Sequence, residues 1–140
     1  MHGICSYPGQ PFTRLNNKRY KMEIEKIINR IKNHKNAGSI GMIASHLGIV
    51  RGFSRNGKDV EAVDVKYDMT VLDNIIKDIK AMPGIIEAIV EVNEGHLKVG
   101  DELMFVAVGG DIRENVFDAL IEAVNRIKKH AAKKEEIFIS

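Results

Sequence analysis

Two separated groups of cationic side chains are the residues of this chain best suited to chemistry. Arg51 closes the apolar run that starts at His46. The second group begins at Arg113 and continues at the end of the helix predicted to follow it, with Arg126, Lys128, Lys129, Lys133 and Lys134. The 21 Lys and Arg residues nearly balance the 19 Asp and Glu residues, so these cations are concentrated locally. Because arginine donates paired hydrogen bonds to carboxylate and phosphate, the sequence predicts a site for a small anion or for a partner's carboxylate tail.

Each of these residues also has a purely structural interpretation. Arg51 fits a solvated strand end, and cations at a helix C-terminus complement the helix dipole. The functional alternative is a lysine that is partly desolvated among other cations, whose pKa falls so that it can act as an acid, a base or a nucleophile. His46 is ambiguous in the same way, because a lone histidine in an apolar run is more often a hydrogen-bonded core residue than a catalytic one.

The segment Gly109-Gly110-Asp111 is a second possible anion site, because it joins a predicted buried strand to a helix. Backbone N–H groups at a helix N-terminus favour anions, whereas Asp111 is equally an ordinary helix cap. The segment lacks the GxxxxGK[ST] pattern of a phosphate loop. The sequence shows no carboxylate pair, Ser-His-Asp order or metal-ligand spacing, so we predict no metal site.

Length and composition favour a single domain with a substantial core. The chain has 140 residues, 44% of them hydrophobic, and its net charge of +2 gives no case for nucleic acid. One cysteine, Cys5, excludes an internal disulfide framework and a cysteine metal cluster. No stretch reaches the ~20 apolar residues of a membrane span, and the N-terminus lacks the apolar core of a signal peptide. We therefore expect a cytoplasmic protein without membrane contact.

Residues 1–22 differ from the rest of the chain. They contain no acidic residue and no apolar periodicity. We expect them to be a flexible leader or a non-native extension, with Met22 as the natural start. The alternative is a basic arm that folds onto a partner. In either case the predicted domain comprises residues 23–140.

Apolar periodicity predicts intermixed helices and strands in this domain. Ile24, Ile27 and Ile31 recur at helical spacing, and Asp68 can cap a second helix. The predicted order is a helix from residue 23, strands at 39–50 and 60–67, a helix at 69–82, strands at 85–92 and 103–108, a helix at 112–131 and an edge strand at 137–139. Because a hairpin at 85–108 lies between helices, we predict an α+β fold with a mixed, largely antiparallel sheet and packed helices.

Residues 23–136 resemble the large, catalytic subunit of molybdopterin synthase. The resemblance rests on the order and spacing of short fragments rather than on any one of them. They include Gly48-Ile49-Val50-Arg51, Tyr67-Asp68-Met69-Thr70, Pro83-Gly84, the run from Gly95 to Asp101, Phe117-Asp118-Ala119 and Lys133-Lys134-Glu135.

The resemblance implies a reaction and an assembly. Members of this family convert cyclic pyranopterin monophosphate into the dithiolene molybdopterin, a step of molybdenum cofactor biosynthesis that needs no metal or organic cofactor. The sulfur comes from a small ubiquitin-like carrier whose C-terminal Gly-Gly bears a thiocarboxylate and enters the large subunit's pocket. The large subunit is a homodimer flanked by two carriers, which makes a heterotetramer. The implied fold is an α/β hammerhead with added strands.

The resemblance also implies roles for five residues. Arg51 and Arg113 would bind the pterin or its phosphate. Lys128 would be the active-site lysine of the last helix. Lys133 would match the second essential lysine, with Lys134 beside it as the alternative match and a further substrate-binding residue.

Two departures from the family pattern bear on activity. Ile112 stands where the family has a histidine before the arginine, which removes a donor and a proton carrier. The Pro-x-Trp that precedes the second lysine is missing, which removes a rigid wall beside it. We predict sulfur transfer from the carrier to the pyranopterin by Lys128 and Lys133. The alternatives are a sulfur transferase for a related substrate, and a non-catalytic module that retains the fold and binds a pterin or the carrier tail.

Overall fold

The computed structural model describes residues 4–5 and 22–139. The elements along these residues are β1 (Ile4–Cys5), α1 (Ile24–Lys32), β2 (Met42–Ile49), β3 (Val60–Tyr67), α2 (Met69–Lys80), β4 (Ile85–Val92), β5 (Gly95–Lys98), β6 (Glu102–Gly110), α3 (Arg113–Arg126) and β7 (Ala132–Phe138). A short 3-10 turn at Ala37–Ser39 follows α1, and a π-helical turn at Ile127–Ala131 follows α3. In the described part of the chain, no helix is long and apolar enough to cross a membrane.

The first sheet contains four strands in the order β1-β4-β6-β2, and each neighbouring pair is antiparallel. Val106 and Val108 of β6 pack in the core that α2 and α3 cover. Phe105 and Ala107 face the opposite way, into the core under α1. Burial on both faces explains why β6 is a continuous apolar run. The predicted central position of this strand is confirmed.

The helices form where the apolar stripes predict them. Ile27 and Ile31 of α1 are fully buried against the first sheet. The side chain of Asp68 accepts a hydrogen bond from the Val71 N–H at 3.1 Å, so the predicted cap of α2 is confirmed. Leu72 and Ile79 of α2 are fully buried on the other face of the sheet.

A second sheet of three antiparallel strands, in the order β5-β3-β7, packs beside the first. Its small core contains Val63 and Val65 of β3, Leu97 of β5, and Val50 at the end of β2. The predicted α+β class with largely antiparallel strands is therefore confirmed. Strand β5 was not predicted, because only its flanking turns carry a clear sequence signal.

The last helical segment ends where the sequence predicts, at residue 131, because the π-helical turn continues α3 to Ala131. The strand that follows differs from the predicted edge strand at 137–139. Helix α3 ends at Arg126, and β7 begins five residues earlier than predicted, at Ala132. The run Ala-Lys-Lys-Glu-Glu favours helix by intrinsic propensity. Strand β3 overrides this preference, because β7 pairs along it from Tyr67↔Ala132 to Val60↔Phe138.

Only part of the predicted leader can be compared with the structure. Strand β1 pairs with the end of β4 through Ile4↔Val92 and Cys5↔Glu91. Met22 is buried in the core under α1, and its N–H donates to Glu102 Oε1 at 2.6 Å. Residues 1–3 and 6–21 lie outside the described residues. The division of the chain at residue 22 stays a prediction.

Candidate active site

A cavity of about 480 Å³ lies where one end of the first sheet meets the second sheet. Its wall is formed by His46, Gly48, Ile49, Val50, Arg51, Arg55, Val63, Val65, Tyr67, Leu103, Met104, Ile127, Lys128, Ala132, Lys134 and Glu136. Four of these residues are cations, Arg51, Arg55, Lys128 and Lys134, and one is a carboxylate, Glu136. The excess of positive charge suits the cavity to an anion.

Strand β2 supplies two wall residues from one face. His46 and Gly48 are two positions apart and lie opposite Val106 and Met104 of β6, so both face the side of the sheet that carries the cavity. A Cβ on Gly48 would lie 3.4 Å from His46 Cε1. Gly48 is therefore a direct neighbour of the imidazole in the cavity wall.

The end of β2 positions Arg51. The pairing of β2 with β6 shifts between Gly48 and Ile49, and such irregularities commonly redirect side chains at functional sites. Arg51 Nε then donates to the Phe53 carbonyl oxygen at 2.8 Å, and its guanidinium carbon lies 4.8 Å from the centre of the Phe53 ring. These two contacts hold one edge and one face of the guanidinium, and leave its two terminal nitrogens as donors for an anion.

The π-helical turn after α3 positions Lys128. Ile127, the residue before it, is fully buried and anchors the turn. Partial burial in the cavity wall lowers the pKa of Lys128, and the nearby charges of Lys134, Arg55 and Arg51 lower it further. Lys128 retains solvent contact, so the ammonium is accessible and is easier to deprotonate than an ordinary lysine. π-helical turns are frequent at functional sites.

The structure separates the two lysines that the sequence could not distinguish. In the pairing of β7 with β3, Lys134 lies opposite Val65 and Lys133 lies opposite Lys66. Successive side chains on a strand point to opposite faces, and Lys134 lines the cavity whereas Lys133 does not. The expectation that Lys133 accompanies Lys128 does not fit this geometry. The physical reason is the strand, since a helix would have rotated the two side chains by only ~100°.

Arg113 is not part of this cavity. It is the first residue of α3, its side chain is 77% exposed, and its Nε lies 4.0 Å from Glu114 Oε1. Met104 borders the cavity near the start of β6, whereas Arg113 follows the end of that strand at Gly110. At the rise of a β-strand, the backbone positions of Met104 and Gly110 are about 20 Å apart. The structure therefore does not bring Arg113 to the cavity of its own chain.

The predicted anion site at Gly109-Gly110-Asp111 is filled by the chain itself. Asp111 Oδ1 accepts hydrogen bonds from the Ile112 N–H at 2.7 Å and from Asn115 Nδ2 at 2.9 Å. Both bonds lower the pKa of the Asp111 carboxyl, and the bond from Asn115 has the larger effect. Asp111 is not the cap of α3, because Ile112 occupies the N-cap position and makes no side-chain capping bond. The Asp111 carboxylate instead accepts from the donors with which a bound anion would have to pair.

Three polar wall residues were not predicted from the sequence as site residues: Arg55, Tyr67 and Glu136. The Tyr67 hydroxyl donates to the Leu103 carbonyl oxygen at 3.4 Å, and burial followed by the charge of Glu94 raises the pKa of its phenol. Glu136 follows Lys134 by two residues, so a correct strand prediction for 132–138 would have placed it on the same face. Arg55 lies in a turn-rich loop, and no sequence motif marked it as a site residue.

Comparisons with known proteins identify the family of this chain and structures that share its fold. Residues 17–130 match the model of a protein family described as MoaE protein. An uncharacterized protein of Methanocaldococcus jannaschii is 28% identical over 100 residues, which are 69% of this chain and 84% of that protein. Molybdopterin synthase from Staphylococcus aureus is 23% identical, with a TM-score of 0.63 over 73% of this chain and 77% of that chain. In a complex of subunits 1 and 2 of molybdopterin-converting factor from Helicobacter pylori, the matching chain is 14% identical, with a TM-score of 0.64 over 86% of this chain and 82% of that chain. The two solved structures share the fold of this chain.

Proposed function

This chain belongs to the MoaE protein family, and from that premise we propose that it is the sulfur-transferring large subunit of a molybdopterin synthase. Its membership supports a role in molybdenum cofactor biosynthesis. The observation that carries the finer proposal is the cavity in which Arg51, Lys128 and Lys134 converge. The lowered pKa of Lys128 in that wall is typical of a residue that exchanges protons or stabilises charge during a reaction.

In this proposal, one cation of the cavity binds the substrate and two others take part in the reaction. Arg51, with its terminal nitrogens available, binds the phosphate of the pyranopterin. The carrier's thiocarboxylate sulfur attacks a carbon of the pterin side chain, the bond from that carbon to an oxygen breaks, and the leaving oxygen takes a proton from Lys128. The carrier is then joined to the pterin as a thioester. Water then adds to the thioester carbonyl, the carbon–sulfur bond to the carrier breaks, and the carrier leaves as a carboxylate while the sulfur stays on the pterin. Lys128 and Lys134 stabilise the oxyanion that forms during this addition.

A small carrier subunit is the partner that we propose. The related chain from Helicobacter pylori was solved in a complex of two subunits. Ile49 of the cavity wall and Phe53, whose ring contacts the guanidinium of Arg51, are both about half exposed. An apolar rim around a cationic cavity suits a carrier that covers the rim and sends its anionic tail inside.

We also propose a homodimer, in which Arg113 acts on the second copy. Ile112, Phe117 and Ile121 form an apolar patch beside Arg113, with exposures of 53%, 48% and 59%. Because Arg113 does not reach the cavity of its own chain, a substrate-binding role requires a cavity of another chain. Light scattering is expected to give a dimer, and a mixture of Arg113→Ala and Lys128→Ala subunits is expected to recover activity that neither variant has alone. A monomer, or no recovery in mixed dimers, would contradict this assembly.

The deciding experiment is reconstitution of the reaction. The chain is incubated with a thiocarboxylated carrier and the cyclic pyranopterin, and dithiolene formation is measured. A dithiolene contains two sulfur atoms and each carrier supplies one, so the transfer occurs twice. The proposal therefore predicts one dithiolene for every two thiocarboxylates lost. The alternative, a non-catalytic module that binds a pterin or the carrier tail, is favoured by Ile112, where the family has a histidine. Binding of both components without dithiolene would establish that alternative.

A further inference from the structure

His46 is a titratable side chain of the cavity for which the proposed reaction has no role. The imidazole lines the cavity, but its Nδ1 is buried and has no hydrogen-bond partner within the described residues. The ring therefore meets the cavity with the edge that carries Nε2. Gly48 lies beside the ring on the same face of β2. A buried imidazole nitrogen without a hydrogen-bond partner costs stability.

The charges around His46 disfavour its protonated form in the empty cavity. The groups that face it are Arg51 and Arg55 after β2, Tyr67 of β3, Lys128 of the π-helical turn, and Lys134 and Glu136 of β7. Strand β6 contributes apolar neighbours. Burial lowers the pKa of His46 most, and the charge of Lys128 lowers it further. The carbonyl of His46 itself raises the pKa slightly as a nearby acceptor.

A bound anion reverses this balance. Negative charge placed among the cations screens the repulsion between Lys128 and the imidazolium, and it attracts the imidazolium directly. We propose that His46 takes up a proton when an anion binds among Arg51, Lys128 and Lys134, and that Nε2 of the resulting imidazolium donates a hydrogen bond to that anion. The identity of the natural anion, a phosphate ester or a carrier thiocarboxylate, rests on the proposed function. The coupling between anion binding and protonation of His46 does not depend on the proposed function.

The sign of the coupling follows from linkage. Binding raises the pKa of His46, so at any pH between the free and bound values the protein takes up a fraction of a proton as the anion binds. Affinity for the anion is greatest below the free-state pKa, and it falls as the pH rises from the free-state to the bound-state value. At higher pH His46 is neutral in both states, and affinity depends on the fixed cations alone.

Inorganic sulfate is a suitable probe, because it remains a dianion across the pH range in which histidine titrates. The chemical shift of the His46 ring is titrated by NMR in the full chain, with and without saturating sulfate, and proton uptake is measured by calorimetry in buffers of different ionisation enthalpy. We expect the pKa of His46 to rise with sulfate and the uptake at pH 6 to lie between zero and one proton. An unchanged pKa, an absence of proton uptake or an absence of sulfate binding would overturn the proposal.

Two variants separate His46 from other histidines. His46→Gln keeps a polar side chain but cannot be charged, and it is expected to lower sulfate affinity several-fold at pH 6 and to leave it nearly unchanged at pH 8. His96→Gln is the matched control, because His96 is exposed and its Nδ1 pairs with Asp64 Oδ1 at 2.8 Å on the second sheet. Equal pH dependence of sulfate affinity in wild type and His46→Gln would overturn the proposal. Failure of dithiolene formation with intact proton-coupled sulfate binding would reject the proposed reaction alone.

Discussion

The two ends of β6 differ in the space that the surrounding residues leave for a ligand. At its start, Leu103 and Met104 border a cavity into which three other segments bring four cations. At its end, Gly109 and Gly110 serve close packing, since a Cβ on Gly110 would lie 2.6 Å from the Gly84 carbonyl oxygen. Glycines before a helix and dispersed cations are both possible anion sites in a sequence. The structure distinguishes these two candidates by the space around them. The start of β6 borders a cavity, whereas the glycines at its end are tightly packed.

The largest expected effect is that of Lys128→Ala. If Lys128 stabilises charge in the cavity, its loss should reduce the rate of sulfur transfer by about 10²-fold or more. The free energy of unfolding should change by no more than about 0.5 kcal/mol, because the side chain retains solvent contact. Single-turnover kinetics and urea denaturation measure the two quantities.

Lys129→Ala is the matched control for Lys128→Ala. Lys129 lies on the same turn and is exposed, but it does not line the cavity. Its substitution should leave the transfer rate unchanged. Equal losses of rate in both variants would mean that the rate depends on the overall positive charge of this turn and not on a lysine in the cavity wall.

At the other end of β6, Gly110→Ala should affect stability instead of chemistry. The added methyl would meet the Gly84 carbonyl oxygen and Val116 Cγ2, which lies 2.9 Å from the Cβ position. We expect a loss of about 2–3 kcal/mol in the free energy of unfolding, with little change in the rate per folded molecule. Gly38→Ala is the control, because no atom lies within 4 Å of its Cβ position. A large loss of anion affinity in folded Gly110→Ala would show that this end has a binding role.

The fold was largely predictable because its core elements carry local signals. Ile27 and Ile31 mark the buried stripe of α1, and the apolar run of β6 marks a strand buried on both faces. The start of β7 was not predictable, because its residues favour helix locally and become a strand only by pairing with β3. This one boundary decided the site, since it determines that Lys134 faces the cavity and Lys133 does not. Arg51 and Lys128 were identifiable from residue type and family resemblance, whereas Arg55 is brought to the wall only by tertiary structure.

The smallest expected effect is a pH dependence of stability at His46. The pKa of His46 is lowered in the folded chain from an ordinary value of 6.5. Between the two values the unfolded state binds more protons, so the free energy of unfolding falls as the pH falls through this window. Acidification from pH 7 to 5 should therefore destabilise wild type slightly more than His46→Gln, as measured by urea midpoints. Identical changes in both proteins would indicate that the ring is not desolvated as the structure has it.

The central claim is that the cationic cavity, and no other charged surface, is where the chain acts. The most direct measurement compares the transfer rates of Lys134→Ala and Lys133→Ala, two adjacent lysines that face opposite sides of β7. The cavity predicts a loss of about tenfold or more for Lys134→Ala and a rate close to wild type for Lys133→Ala. A loss confined to Lys133→Ala, or equal losses in both variants, would contradict it.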